Sequence, residues 1–200
     1  MQGLTAYHAL HDAARVRAGE TVLVHAAAGG VGTWLVRLAR RAGARVLGAC
    51  SSEAKAERVR ALGADHAFVT ERALAHIGEL TGGRGVDVVL DSVGRDTRAL
   101  SLAALAPFGR LVCFGDASGA PAPFDPEELY DRSLQVGTYW LRTTHPAAVR
   151  ARAVDALLGG IADGSLPVPE TTVYPLAEAA AAHRALESRA SRGKLLLRVG

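Results

Sequence analysis

Cysteine is nearly missing from this chain: Cys50 and Cys113 are the only two in 200 residues, each inside an apolar run. Two such thiols build neither a disulfide framework nor a Cys-x-x-Cys metal site, and buried reduced thiols are the expected state. The seven histidines are scattered without metal-ligand spacing, so no metal is expected. Long apolar runs are missing too, none approaching the ~18 residues of a membrane span. No basic segment followed by an apolar one opens the chain, so a cytoplasmic location and no membrane partner are expected. Aromatic residues make up only 5% of the chain, which leaves Val, Leu and Ala to build any core. Basic residues outnumber acidic ones by 23 to 20, for a net charge of +3, with no dense basic run. Without basic–aromatic interleaving, nucleic acid is not an expected partner, and the excess of Lys and Arg reads as solvated helix faces.

What is present is an alternation. Short apolar or β-branched runs occur at 21–25 (TVLVH), 45–50 (RVLGAC), 67–70, 86–91 (VDVVLD), 110–114 (RLVCF) and 134–140 (LQVGTYW). Helical spacing occupies 31–41, where Val31, Leu35, Leu38 and Ala39 share a face opposite Arg37, Arg40 and Arg41. Residues 53–62 and 95–105 read the same way, and Gly43 and Gly63 are helix stops. A short helix is expected to end near 129–133, and a longer one to run over 146–158. Strand–helix alternation of this kind gives right-handed crossovers and a parallel sheet covered on both faces. The fold class is therefore α/β, a Rossmann-type doubly wound parallel sheet, over residues 1–165. Residues 166–200 differ, with a strand TTVYPL, an alanine-rich helix over 177–189 and a last strand KLLLRV.

The first strand ends in HAAAGGVG, residues 25–32. In a doubly wound sheet a ligand sits at the carboxyl ends of the strands, and the amides of the following helix start hold a pyrophosphate if no side chain blocks it. Ala27-Ala28-Gly29-Gly30-Val31-Gly32 fits G-x-G-x-x-G with alanine first, and it lies between a strand and a helix as the motif requires. Gly29 would allow the close approach and Gly32 the helix–strand packing.

The end of the second strand then selects the dinucleotide. An acid there would bond a ribose 2′-hydroxyl, but Cys50 holds the place, followed by Ser51, Ser52 and Lys55. Hydroxyls plus a cation suit a 2′-phosphate, and Arg58 could add to the field, so the expected cofactor is NADPH. A second reading stays open beside it, in which Ser51-Ser52 caps the next helix and Lys55 is a solvated side chain.

VLVHAAAGGVG, SSEAKAERVRALGADH, LTGGRGVDVVLDSVGRDT, GRLVCFGDASG, YPLAEAAAAHRALESR and GKLLL follow one another as in the zinc-independent quinone oxidoreductases, which the chain resembles over its whole length. That family belongs to the medium-chain dehydrogenase/reductase superfamily. The resemblance implies an NADPH-dependent reductase that passes hydride to quinones or other α,β-unsaturated carbonyls. It also implies a pyrophosphate loop at Ala28, Gly29, Gly30 and Val31, and a 2′-phosphate site at Ser51, Ser52 and Lys55. Phe114 and Gly115 would offer backbone to the nicotinamide carboxamide, Asp91 to Gly94 would lie near the cofactor ribose, and Thr5 would stand at the inner end of the cleft. Arg192 or Lys194 would be counterparts of basic residues near the 2′-phosphate. Thr70 stands where many relatives have a tyrosine near the adenine; it can donate a hydrogen bond but cannot stack. Asp116 replaces a usual Asn.

The resemblance further implies that MQGLTAYHAL corresponds to the middle of a relative's chain. An N-terminal catalytic domain would then be absent, and residues 166–200 are the segment that packs on it in relatives. Tyr7, His8 and His11 would lie near the cleft, yet packing or exposure in a helix-like stretch explains Tyr7 and His8, and no catalytic residue is named. Trp34 and Trp140 are read as packing residues, and Asp91 as a carboxylate that bonds neighbouring backbone. In relatives the sixth strand pairs with its copy across a two-fold axis, which makes a homodimer expected. Two other functions remain in view: an enoyl (thioester) reductase of the same superfamily, and a non-catalytic NADPH-binding module.

Overall fold

The computed structural model describes residues 1–119, 123–142, 145–168, 170–188 and 194–200. Nearly continuous apolar runs become strands whose central members are buried on both faces, as a covered parallel sheet requires, while the edge strand Gln135–Thr138 stays largely exposed. These are β1 Thr21–Val24, β2 Arg45–Cys50, β3 His66–Val69, β4 Val86–Asp91, β5 Leu105–Cys113 and β6 Gln135–Thr138. They pair in parallel in the order β3-β2-β1-β4-β5-β6. The order reverses between β1 and β4, so a crevice opens above their carboxyl ends.

Side chains alternate between two layers. Val22, Val24, Val46, Val88 and Leu90 meet α1 Gln2–His8, α2 Gly30–Arg41, α3 Glu53–Ala61 and α7 Ala147–Ala162 on one face. Leu23, Leu47, Val89 and Leu111 meet α4 Ala73–Thr81 and α5 Arg98–Ala104 on the other. A four-residue helix, α6 Glu127–Tyr130, precedes β6. The C-terminal residues form a separate two-stranded parallel sheet, β7 Thr171–Pro175 with β8 Lys194–Arg198, joined through α8 Ala179–Glu187. No helix among the described residues is long and apolar enough to cross a membrane.

The structure corrects the sequence reading at several places. Helix α4 had no counterpart in the apolar pattern, because only Ala73 and Ile77 of its nine residues are buried. Its stop is nonetheless visible in Gly82, which takes the left-handed conformation at φ +61°. Helix α5 begins at Arg98 rather than 95, since residues 92–97 form a turn bound to Asp91. Leu105 is not helical; it pairs with Val86 and starts β5 five residues early, with a bulge between Val86 and Val88. Cys113 is only half-buried, unlike Cys50.

The bulged start of β5 carries a strained residue. Phe108 has φ +62° and its side chain is 71% exposed. A bulky residue in the left-handed region has no packing here to offset its strain. Phe108→Gly is therefore expected to raise stability by about 1 kcal/mol, strain relief outweighing the added freedom of the unfolded chain. Thermal melts of the two proteins would check this, and an unchanged or lower midpoint would refute it.

Candidate functional site

The first turn is made of backbone. The amide of Ala27 donates to Ala49 O at 3.1 Å and that of Gly29 to Ala26 O at 2.8 Å, with Ala26 itself at φ +47°. Gly29 is the N-cap of α2 and no side chain caps that helix start, so its first-turn amides have no partner within the helix. A β-carbon on Gly29 would stand 3.0 Å from Ala26 O, and one on Gly32 would meet Ala27 backbone atoms at 2.8 Å. The carboxamide of Gln2, from α1, lies over Gly30 where a β-carbon would sit. The cradle thus fits a pyrophosphate: bare amides, a helix start, and no room for a side chain.

Beside this turn stands the end of β2. Burial pushes the Cys50 thiol up to about 11, against the opposing pull of the Ala28 amide and of Lys55 and Arg60. It is therefore neutral at pH 7 and places no negative charge near the loop that follows. From the first turn of α3, Lys55 Nζ donates to Ser51 Oγ in that loop at 3.0 Å. Ser52 is the N-cap of α3 by position, but its side chain makes no cap bond. Thr70 reaches the same place from β3, where its hydroxyl donates to Cys50 O at 3.0 Å. Ser51, Ser52, Lys55 and Thr70 are thus gathered at one strand end. Arg58 is engaged elsewhere, paired with Glu170 at 2.9 Å, which offsets its field. Lys194 opens β8 and donates its amide to Glu170 O; Arg192 lies outside the described residues.

The other half of the crevice is formed by the turns after β4 and β5. Asp91 is 1% exposed and accepts four hydrogen bonds. Its Oδ1 takes the amides of Val93 (2.7 Å) and Gly94 (3.2 Å), as the sequence reading anticipated. Its Oδ2 takes the hydroxyls of Thr97 (2.7 Å) and Ser101 (2.8 Å), which the sequence reading missed. The β5 turn is laced to this one: Phe114 N donates to Asp91 O, Ala117 N to Ser92 O and Ser118 N to Val93 O. Phe114 points into the core, and Gly115 packs on Ser92 and lines the crevice. A cavity of about 240 Å³ opens there, lined by Gly94, Gly115, Phe124, Tyr139 and Trp140 among others. Trp34 is a packing residue as expected, but Trp140 is 53% exposed at the cavity and is not.

The residues near the start of the chain pack together instead of facing that cavity. Tyr7 lies against His11 at 4.6 Å between ring centres. His8 is buried, stacked on His145 at 4.2 Å, with Nδ1 2.6 Å from Asp12 Oδ2. Among the described residues no three His, Cys, Asp or Glu side chains gather as a metal ion would require.

Strand order, bare first turn and laced second turn define a dinucleotide-binding domain. The family model for zinc-binding dehydrogenases matches residues 30–158. A probable quinone oxidoreductase of Schizosaccharomyces pombe is 40% identical over 98% of this chain and 60% of its own length. A 2-haloacrylate reductase of a Burkholderia species is 37% identical over 98% and 61%. The crystal structure of Escherichia coli quinone oxidoreductase complexed with NADPH superposes with a TM-score of 0.85 at 34% identity, over 99% of this chain and 63% of that one. The chain belongs to the zinc-binding dehydrogenase family, in its zinc-independent, quinone oxidoreductase-like branch. It spans about three-fifths of the length of these relatives.

Proposed function

We propose that this chain is the NADPH-binding part of an oxidoreductase that delivers hydride to a quinone or another α,β-unsaturated carbonyl. The observation that carries the cofactor choice is the end of β2, where a neutral thiol replaces an acid and Lys55 is held over Ser51 at 3.0 Å. Ala28, Gly29, Gly30 and Val31 form the pyrophosphate loop, the amides of Gly30 and Val31 at the helix start holding the phosphates while those of Ala28 and Gly29 brace the turn, and Ser51, Ser52 and Lys55 take the 2′-phosphate. Thr70 fixes the strand end behind them. Phe114 and Gly115 offer backbone to the carboxamide. When bound, the cofactor supplies a hydride to an electron-poor carbon. This chain's part is to orient it and to wall off the cavity beneath Trp140.

Calorimetric titration with NADPH and with NADH tests the reading. Lys55→Ala is expected to weaken NADPH about tenfold and NADH less than twofold, the loss of one charge-assisted contact. Equal weakening of both would make Lys55 a helix-surface residue. Turnover of 1,4-naphthoquinone supports the quinone reading, turnover of a crotonyl thioester the enoyl reductase one. Binding with turnover of neither favours a non-catalytic module. A cytoplasmic homodimer belongs to the same reading, because β6 is an edge strand with Gln135, Gly137 and Thr138 exposed. Light scattering is expected to give twice the chain mass at micromolar concentration, and a stable monomer would refute it.

A further inference from the structure

His25 leaves β1 at the point where the strand order reverses, one residue before the first turn. Its amide continues the ladder to Leu90 O at 3.0 Å, and its ring is 1% exposed. Nε2 lies 3.0 Å from Ser101 Oγ, and Ser101 Oγ lies 2.8 Å from Asp91 Oδ2. A serine hydroxyl has one proton to give. Asp91 takes it, so the serine oxygen accepts from His25, which fixes the imidazole with its proton on Nε2. Nδ1 is then an acceptor, and it has no hydrogen-bond partner among the described residues. Burial lowers the pKa of the ring, against the opposing pull of Asp91, and keeps it neutral.

The β1–β4 ladder already sets these two strand ends side by side, its last rung being His25 N to Leu90 O, and this chain of side-chain bonds ties together the turns that continue beyond it. At one end His25 is covalently followed by Ala26 to Gly29, the pyrophosphate turn. At the other Asp91 holds the amides of Val93 and Gly94, and through that turn the one bearing Gly115. Ser101 sits between them on α5, fully buried, so the link is neither solvated nor free to slide.

We propose that His25 is a positioning residue that, through Ser101 and Asp91, sets the distance between the pyrophosphate turn and the nicotinamide turns. The inference rests on the dinucleotide reading and deepens it. A ligand that touches both turns feels this spacing; a ligand that touches one does not. NADPH is of the first kind, and adenosine 2′,5′-bisphosphate, which ends at the first turn, is of the second.

The 200-residue chain and its variants His25→Phe, His25→Gln and Ser101→Ala are titrated calorimetrically with both compounds. His25→Phe and Ser101→Ala are expected to weaken NADPH about tenfold while changing the bisphosphate less than twofold, as the loss of one buried hydrogen bond allows. His25→Gln keeps a donor at the ε position and is expected to bind NADPH within about twofold of the parent. Equal weakening of both compounds in Ser101→Ala would make the network merely structural and overturn the inference, as would unchanged NADPH affinity. Should His25→Phe fail to fold, Ser101→Ala and His25→Gln still decide between these outcomes. A parent chain that binds neither compound would overturn the dinucleotide reading itself, a result distinct from either.

Discussion

A single methyl group added at Gly32 is expected to destabilise the fold by roughly 3 kcal/mol and to weaken NADPH binding about a hundredfold. The new carbon would meet the Cα and carbonyl carbon of Ala27 at 2.8 Å, with Ala26 O nearer still. All three are backbone atoms, so no side chain can rotate away. The turn itself must shift, and it is already constrained by Ala26 at φ +47°. Because the same atoms form the floor under the pyrophosphate amides, stability and affinity fall together. Gly78→Ala provides the control: it lies within α4 with nothing within 4 Å of its β-carbon position, and there alanine is expected to be neutral or slightly stabilising. Chemical denaturation and NADPH titration of both variants would check this. A Gly32→Ala protein that binds like its parent would show that helix and strand need not touch so closely.

Removing the Asp91 carboxylate is the other large effect. Asp91→Ala removes the acceptor of two amides and two hydroxyls in a region where Thr97 and Ser101 are buried, and leaves Thr97 only a 3.2 Å bond to Gly94 O. Each unsatisfied buried group costs about 1–3 kcal/mol, so a total near 4 kcal/mol or more is expected, a large part of the ~5–15 kcal/mol that holds a domain folded. Asp91→Asn keeps an acceptor for Val93 and Gly94 and lets the hydroxyls turn to accept, so its loss is expected to be intermediate. Guanidinium denaturation followed by circular dichroism measures both. A loss below about 1 kcal/mol for Asp91→Ala would mean that water replaces the carboxylate at no great cost.

These two positions also mark how far the sequence could be read. Gly32 was legible because its role is local: a strand, three alanines and a glycine in a fixed frame admit few conformations. The parallel sheet was legible for the same reason, each strand being announced by its own apolar run. The network around Asp91 was not, because Ser101 stands 10 residues from Asp91 and His25 76 residues from Ser101, on different elements, and no spacing pattern joins them. Helix α4 escaped notice because it buries too little to leave a period. Phe108 was read into no element at all, since a positive φ at a phenylalanine has no compositional sign.

The two tryptophans sit in opposite surroundings: Trp34 in the core beside Gly3, Trp140 half in solvent at the mouth of the cavity between the β4 and β5 turns. A shielded indole emits to the blue and a wet one to the red, so the emission band of this chain divides by location. Reduced nicotinamide absorbs where indoles emit. Light lost on adding cofactor would report its arrival near either indole, while a red shift of the whole band on denaturation would report that Trp34 has left the core. The chain thus carries its own probe of cofactor and fold without any label.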